Sequence, residues 1–135
     1  MNDEQSRSRF TLARSARFAS VDDNGDPHLV PIVFALVRDT IYFVIDFKPK
    51  KTTAGLKRLA NIRSHSRVAV LVDHYDDDWN QLWWARADGR AVILDEIDPD
   101  ALAALADRYP QYQQAPPGPM VAITVERWTG WAAVG

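Results

Sequence analysis

The residues best suited to chemistry are crowded into one short stretch, Lys48-Pro49-Lys50-Lys51-Thr52-Thr53. The stretch leaves an apolar run and enters a helical pattern. Its cations and hydroxyls therefore gather where a helix offers unpaired N–H groups and the positive end of its dipole. Ammonium and hydroxyl donors in such a place bind phosphate. A solvated basic loop is the plainer reading, because the glycines of a phosphate-cradling loop are absent. The basic character continues beyond the stretch. From Phe47 to Val72 there is no Asp or Glu, while Lys57, Arg58, Arg63 and Arg67 add positive charge. The whole chain carries a net charge of −2, so the block points to one anionic ligand rather than to nucleic acid.

Aromatic residues are the second signal. Trp79, Trp83, Trp84, Trp128 and Trp131 are many for 135 residues. Tryptophans fill cores and subunit interfaces, and they also wall planar rings. Trp83 and Trp84 are adjacent on a strand pattern and so face opposite sides. His28, His65 and His74 lack metal-ligand spacing, and Asp73, Asp76, Asp77 and Asp78 read as an acidic surface loop. No cysteine is present, which removes thiolate metal sites, a disulfide framework and a cysteine nucleophile. No GxSxG turn and no carboxylate pair embedded in apolar sequence occurs. An anion clamp with aromatic walls, but with no evident acid, base or nucleophile, fits a protein whose cofactor carries the chemistry.

The elements that must position these groups follow from pattern. A chain of 135 residues reads as one domain over 1–135. No apolar run approaches the ~20 residues that span a bilayer, so a soluble cytoplasmic protein without membrane contact is expected. A short helix is expected over 3–15 and a strand over 16–22, with a hairpin turn at Asn24-Gly25. Residues 28–37 read as one strand buried on both faces, with an edge or bulge at Pro31. Arg38-Asp39 turns the chain into a strand over 40–46. A helix is expected from Thr52 or Thr53, placing Leu56, Leu59, Ala60 and Arg63 at helical spacing. Strands are expected over 67–73 and over 81–94, the latter straight or bent at Asp88-Gly89. Asp98-Pro99 opens a second helix with Leu102, Leu105 and Tyr109 on its buried face. An irregular stretch over 110–119 leads to a strand over 120–127 that the tail extends. The pattern is mainly β: a six-stranded antiparallel barrel with flanking helices.

Several segments, ARFASVDDNGDPHLVPIVFAL, FKPKKT, RVAVLVDHYDDDWNQLWWARADGRA, RYPQY and ERWTGW, make the chain resemble the pyridoxamine 5′-phosphate oxidase-like split-barrel family. The resemblance is closest to its actinobacterial branch of coenzyme F420-dependent enzymes, which use a deazaflavin. It implies a six-stranded split barrel and a homodimer with the cofactor at the subunit interface. Pro31, Ile32, Val33 and Phe34 would line the ring through their backbone. Lys48, Lys50, Lys51, Thr52 and Thr53 would hold the ribityl phosphate, and Lys57 and Arg58 would meet an extended anionic tail. In the flavin-binding oxidases a strand reading Arg-Gln-Val-Arg-x-x-Gly faces the partner's cofactor. Arg86 and Gly89 agree with that strand, but Trp84 stands at the Gln position, which weakens the carry-over of the oxidase's cofactor hydrogen bond. Arg127 and Trp131 would also approach the partner's cofactor. The activity implied is hydride transfer from the deazaflavin to a small-molecule acceptor, with the proton donor open among Tyr42, His74 and solvent. FMN in place of the deazaflavin is the nearest alternative. A non-catalytic cofactor- or haem-binding split barrel is another, and a nucleic-acid-binding domain the most remote.

Overall fold

The computed structural model describes residues 1–45, 54–114 and 118–134. Helix α1 (Asp3–Leu12) precedes strands β1 (Ala16–Val21), β2 (Pro27–Ile32), β3 (Ala35–Val37) and β4 (Thr40–Val44). Helix α2 (Ala54–Ser64) follows, then β5 (Arg67–His74), β6 (Trp83–Ile93), helix α3 (Pro99–Arg108) and β7 (Met120–Ala132). The strands form one antiparallel sheet in the order β2-β1-β5-β6-β7-β4-β3. Its two outer strands, β2 and β3, are consecutive in the chain and separated only by Val33-Phe34. That short link brings the two edges of the sheet together, and the result is a split barrel of mainly β structure.

The strand expected over 28–37 is thus two strands, which makes seven rather than six. Pro31 has no N–H to donate and lies on the outer strand β2 opposite Arg17, where no ladder donor is needed. Beyond it the chain turns inward and buries Phe34 completely. The apolar run is therefore continuous in composition but broken in hydrogen bonding.

Other local expectations resolve in the same physical terms. The first helix starts from Asn2, whose side chain accepts from the Gln5 N–H while the Gln5 side chain accepts from the Asn2 N–H. It ends at Leu12, short of residue 15. In the β1–β2 turn only Gly25 adopts a positive φ, 82°. Asn24 does not. Instead the Asp22 carboxylate accepts from the Asn24 and Asp26 N–H groups, each at 2.9 Å. The Asp26 N–H does most to hold Asp22 below the ordinary carboxylate value, with help from Asn24 and Lys57. That contribution to stability is present above the ordinary carboxylate range and fades as the pH falls through the lowered value. At the β3–β4 turn Arg38 takes the left-handed conformation, φ 57°. Arg7 of α1 donates to the Arg38 carbonyl and, at 3.1 Å, to the Asp39 carboxylate.

No hairpin forms at Asp88-Gly89. Strand β6 runs through, and the irregularity is a bulge in β7: Asp88 pairs with Arg127 and Gly89 with Val125, leaving Glu126 as the extra residue. The tail does extend the last strand, to Ala132. The second helix is capped by Asp98, which accepts from Ala101 N–H at 3.0 Å, with Pro99 at its first position.

Period-two alternation sends Ala16 and Phe18, Val68, Val70 and Val72, and Ala85, Ala87 and Ala91 into the barrel. Phe18 meets Phe43 at 4.9 Å, and Phe10 of α1 meets Phe34 at 5.8 Å and Trp128 at 5.2 Å. Each buried phenylalanine contributes roughly 1.5–3 kcal/mol relative to exposure. Helix α2 adds Leu59 and Ile62 to this core. Its buried Asn61 donates to Ser20 at 3.2 Å. Helix α3 packs Ala101 and Leu105 over Ala35, Val44 and Met120 in a second cluster. Among the described residues no helix is long and apolar enough to cross a membrane.

Gly89 sits where β7 passes closest. A Cβ there would lie 2.2 Å from the Thr124 carbonyl oxygen, which is backbone and cannot swing aside. Replacement Gly89→Ala is expected to destabilise the barrel by about 2–3 kcal/mol. Urea denaturation measures this, and an unchanged midpoint would refute the bulge packing.

Candidate functional site

The alternation that fills the barrel turns the other half of each strand outward. In β1 these residues are Arg17 and Ala19; in β5 they are Ala69, Leu71 and Asp73; in β6 they are Trp84 and Arg86. The register sets Arg17 beside Leu71, Leu71 beside Arg86 and Asp73 beside Trp84. Leu29 of β2 stands opposite Ala19. Together these side chains line a hollow of about 530 Å³ on the outer surface of the sheet. A solvated sheet face would carry polar residues here. This one carries leucine, alanine and tryptophan, with Leu29 68% exposed and, farther along, Trp131 46% exposed. An apolar patch of this kind, rimmed by charge, marks an interaction surface.

The polar groups around the hollow are few. The Arg86 guanidinium bonds Asp88 at 3.0 Å. Arg17 has no carboxylate partner among the described residues. Thr129, paired with Arg86 in register, has a buried hydroxyl without a hydrogen-bond partner. A planar molecule with a polar edge fits this set: apolar side chains for its face and guanidinium groups for its heteroatoms.

Of the residues singled out in the sequence, Trp84, Arg86, Arg127 and Trp131 come together on this outer face, through the pairs Trp84–Trp131 and Asp88–Arg127. Pro31 is exposed on the adjacent strand β2. Ile32 and Phe34 point into the core. Val33 packs against the cluster beneath α3. From these three only backbone can face a ligand. Lys48, Lys50, Lys51, Thr52 and Thr53 lie outside the described residues. Lys57 is engaged at 3.4 Å by Asp22. Arg58 is half-buried, and its Nε has no hydrogen-bond partner; desolvation pulls its pKa below the ordinary value, although an arginine stays charged. It is the orphan donor on the basic helix.

Tyr42 packs with the cluster under α3, and His74 lies at the far end of β5, 3.8 Å from Asp76. The histidines are spread over three places: β2, the end of α2, where His65 pairs with Asp23 at 3.7 Å, and the end of β5. Trp83 and Trp84 face opposite sides as their adjacency requires, Trp83 packing on the core and Trp84 on the hollow.

Two features escape a reading of the sequence. The first is the trio Ala19, Ala69 and Leu71; for the last two the only signal is that RVAVLVD is apolar at both parities. The second is a clamp on the barrel seam. The Tyr109 hydroxyl accepts from Phe34 N–H at 3.4 Å and donates to the Arg14 carbonyl at 2.9 Å. The Arg108 guanidinium lies over the Phe34 ring at 4.8 Å and donates to the Ala13 carbonyl. Arg14 in turn lies over Tyr109 and donates to the Arg108 carbonyl at 2.8 Å. RYPQY thus ties α3 to the link between β2 and β3.

The sequence model of the family described as pyridoxamine 5′-phosphate oxidase matches residues 3–132. The chain belongs to that family. No curated protein matches the sequence significantly. Solved structures share the fold at low identity. A conserved hypothetical protein of Mycobacterium tuberculosis is 22% identical with a TM-score of 0.76, covering 98% of this chain and 86% of its own. An FAD-binding protein of Mesorhizobium loti is 20% identical with a TM-score of 0.71, covering 96% and 92%. The haem storage protein HutZ of Vibrio cholerae is 14% identical with a TM-score of 0.69, covering 98% and 95%.

Tyr109 anchors the seam of the barrel. Replacement Tyr109→Phe leaves the Phe34 N–H and the Arg14 carbonyl without their partner, and is expected to cost about 1–3 kcal/mol. Thermal and urea unfolding measure it; an unaltered stability would remove the clamp from the account.

Proposed function

We propose that the chain is a flavin- or deazaflavin-dependent oxidoreductase acting as a homodimer, with the cofactor ring against the outer face of the sheet. The observation that carries this reading is the apolar hollow bounded by Leu29, Leu71 and Trp84 and flanked by Arg17 and Arg86. Family membership supports it, as does an FAD-binding relative in fold. When bound, such a cofactor supplies hydride transfer to a small-molecule acceptor. The chain's own residues do the rest. Leu29, Leu71 and Trp84 exclude water from the face of the ring. Arg17 and Arg86 offer hydrogen bonds to its polar edge. Lys50, Lys51 and Thr52, with Lys48 and Thr53, hold the phosphate, and Arg58 takes a further anionic group.

The deazaflavin is the first choice between the two cofactors. Its tail carries a phosphodiester and several carboxylates, and a window from Phe47 to Val72 without acids suits a polyanion better than it suits one phosphate. For the haem alternative, His65 and His74 each lie within 4 Å of an aspartate, at 3.7 and 3.8 Å, and His28, whose Nδ1 is buried without a hydrogen-bond partner, is the remaining histidine.

A second copy of the chain closes the site. The exposed Leu29 and Trp131 give the outer face the apolar character of a subunit interface, and Arg127 and Trp131 from the partner complete the walls.

Titration of the purified protein with the deazaflavin and with FMN, followed by fluorescence, tests the cofactor. Tight binding of the deazaflavin is expected. The joint replacement Lys50→Ala, Lys51→Ala should weaken it by about 2–4 kcal/mol. Tight FMN with no deazaflavin affinity would reverse the cofactor choice, and binding of neither would overturn the reading. Sedimentation tests the assembly: Leu29→Asp should turn a dimer into a folded monomer, whereas a dimer that persists would put the interface on another face.

A further inference from the structure

A second hollow lies at the corner of the sheet behind Trp84. Strand β5 ends there at His74, the turn Trp79–Gln81 leads into β6, β7 ends, and α1 crosses the strand ends. The hollow measures about 430 Å³. Its apolar surface is Leu82, Ala132 and Val134, its wall is the indole of Trp83, and its polar groups are Arg9, His74, Asn80 and Gln81.

The charges decide what it takes. The half-buried Arg9 guanidinium lies over the Trp83 ring, 5.0 Å from its centroid. It has no carboxylate partner among the described residues, whereas Arg7, two positions earlier on α1, pairs with Asp39. The side-chain amides of Asn80 and Gln81 also make no hydrogen bonds among the described residues. His74 stacks its ring on Trp83 at 6.1 Å and 21°. Its Nε2 lies 3.8 Å from Asp76. One unmatched cation, two free amides and the carbon surfaces of Leu82, Trp83, Ala132 and Val134 match a single negative charge on an apolar body. A phosphate dianion would need a second cation.

We infer that this hollow binds a small aromatic carboxylate, with the acid on Arg9 and the ring among Leu82, Ala132 and Val134. The site is separate from the outer face, because Trp83 and Trp84 face opposite sides of β6, and it stands whether or not a flavin binds there.

Benzoate and its neutral isostere benzamide are the probes. Calorimetry on the full chain should show one benzoate bound, with benzamide weaker by about ten-fold or more. Arg9→Gln should lose a similar factor, and Arg9→Lys should retain part of the affinity. In proton–nitrogen NMR, benzoate should shift the indole resonance that Trp83→Phe removes. The proposal is overturned if benzoate does not bind, if benzamide binds equally, or if the shifted indoles are those of Trp84 and Trp131. If Arg9→Gln fails to fold, the benzoate–benzamide comparison on the unaltered chain and Arg9→Lys still decide it.

Discussion

The link Val33-Phe34 is the constraint on which the rest of the molecule depends. It joins the two outermost strands of a seven-stranded sheet, so a sheet that could lie open is held as a barrel. The burial of Phe34 against Phe10 is the apolar side of that closure. The Tyr109 hydroxyl, shared between Phe34 N–H and the Arg14 carbonyl, is the polar side. Without an internal anchor, the Phe34 N–H would be a buried donor needing water that the core does not admit. The clamp from α3 and the α1–β1 link therefore does for the seam what ladder hydrogen bonds do for the strands.

Once the barrel is closed, the two faces of each strand have separate tasks. The inner face is filled by Phe18, Val70, Ala87, Ile123 and their neighbours, and the buried polar residues among the described ones are the Ser20–Asn61 pair that meets α2 and Ser6 of α1. The outer face of β1, β5 and β6 sets Ala19, Ala69, Leu71 and Trp84 among Arg17, Asp73 and Arg86. Its two arginines stand on either side of Leu71, in one row across the strands. The same strand, β6, also divides Trp83 from Trp84, so two chemically different hollows share one backbone without mixing their contents.

Much of this arrangement is legible in the residues. Asp98-Pro99 specifies its helix because cap and first-turn chemistry are local. Pro31 announces an edge or a bulge because a missing donor is not tolerated inside a regular ladder. Trp83 and Trp84 reveal their opposite faces by adjacency alone. The break after Ile32 is hidden because residues 28–37 are apolar throughout, and composition does not show which residue turns inward. Asp88-Gly89 looks like a turn, yet Gly89 is required by the close approach of Thr124, a partner 35 positions away in sequence. The outer hollow is hidden for the same reason. Arg17, Ala19 and Leu71 are ordinary strand residues until the order β1-β5-β6 brings them together, and that order is a property of long-range pairing. The basic segment Lys48–Thr53, the clearest chemical signal in the sequence, lies outside the described residues.

The central claim is that the cofactor ring rests on the outer face of the sheet. Nuclear Overhauser contacts between the ring protons of the bound cofactor and the side chains of Leu71 and Trp84 test it most directly. The account predicts contacts to both, and to Leu29 across the hollow. Contacts confined to Trp83 and Arg9, or to side chains on α3, would contradict it.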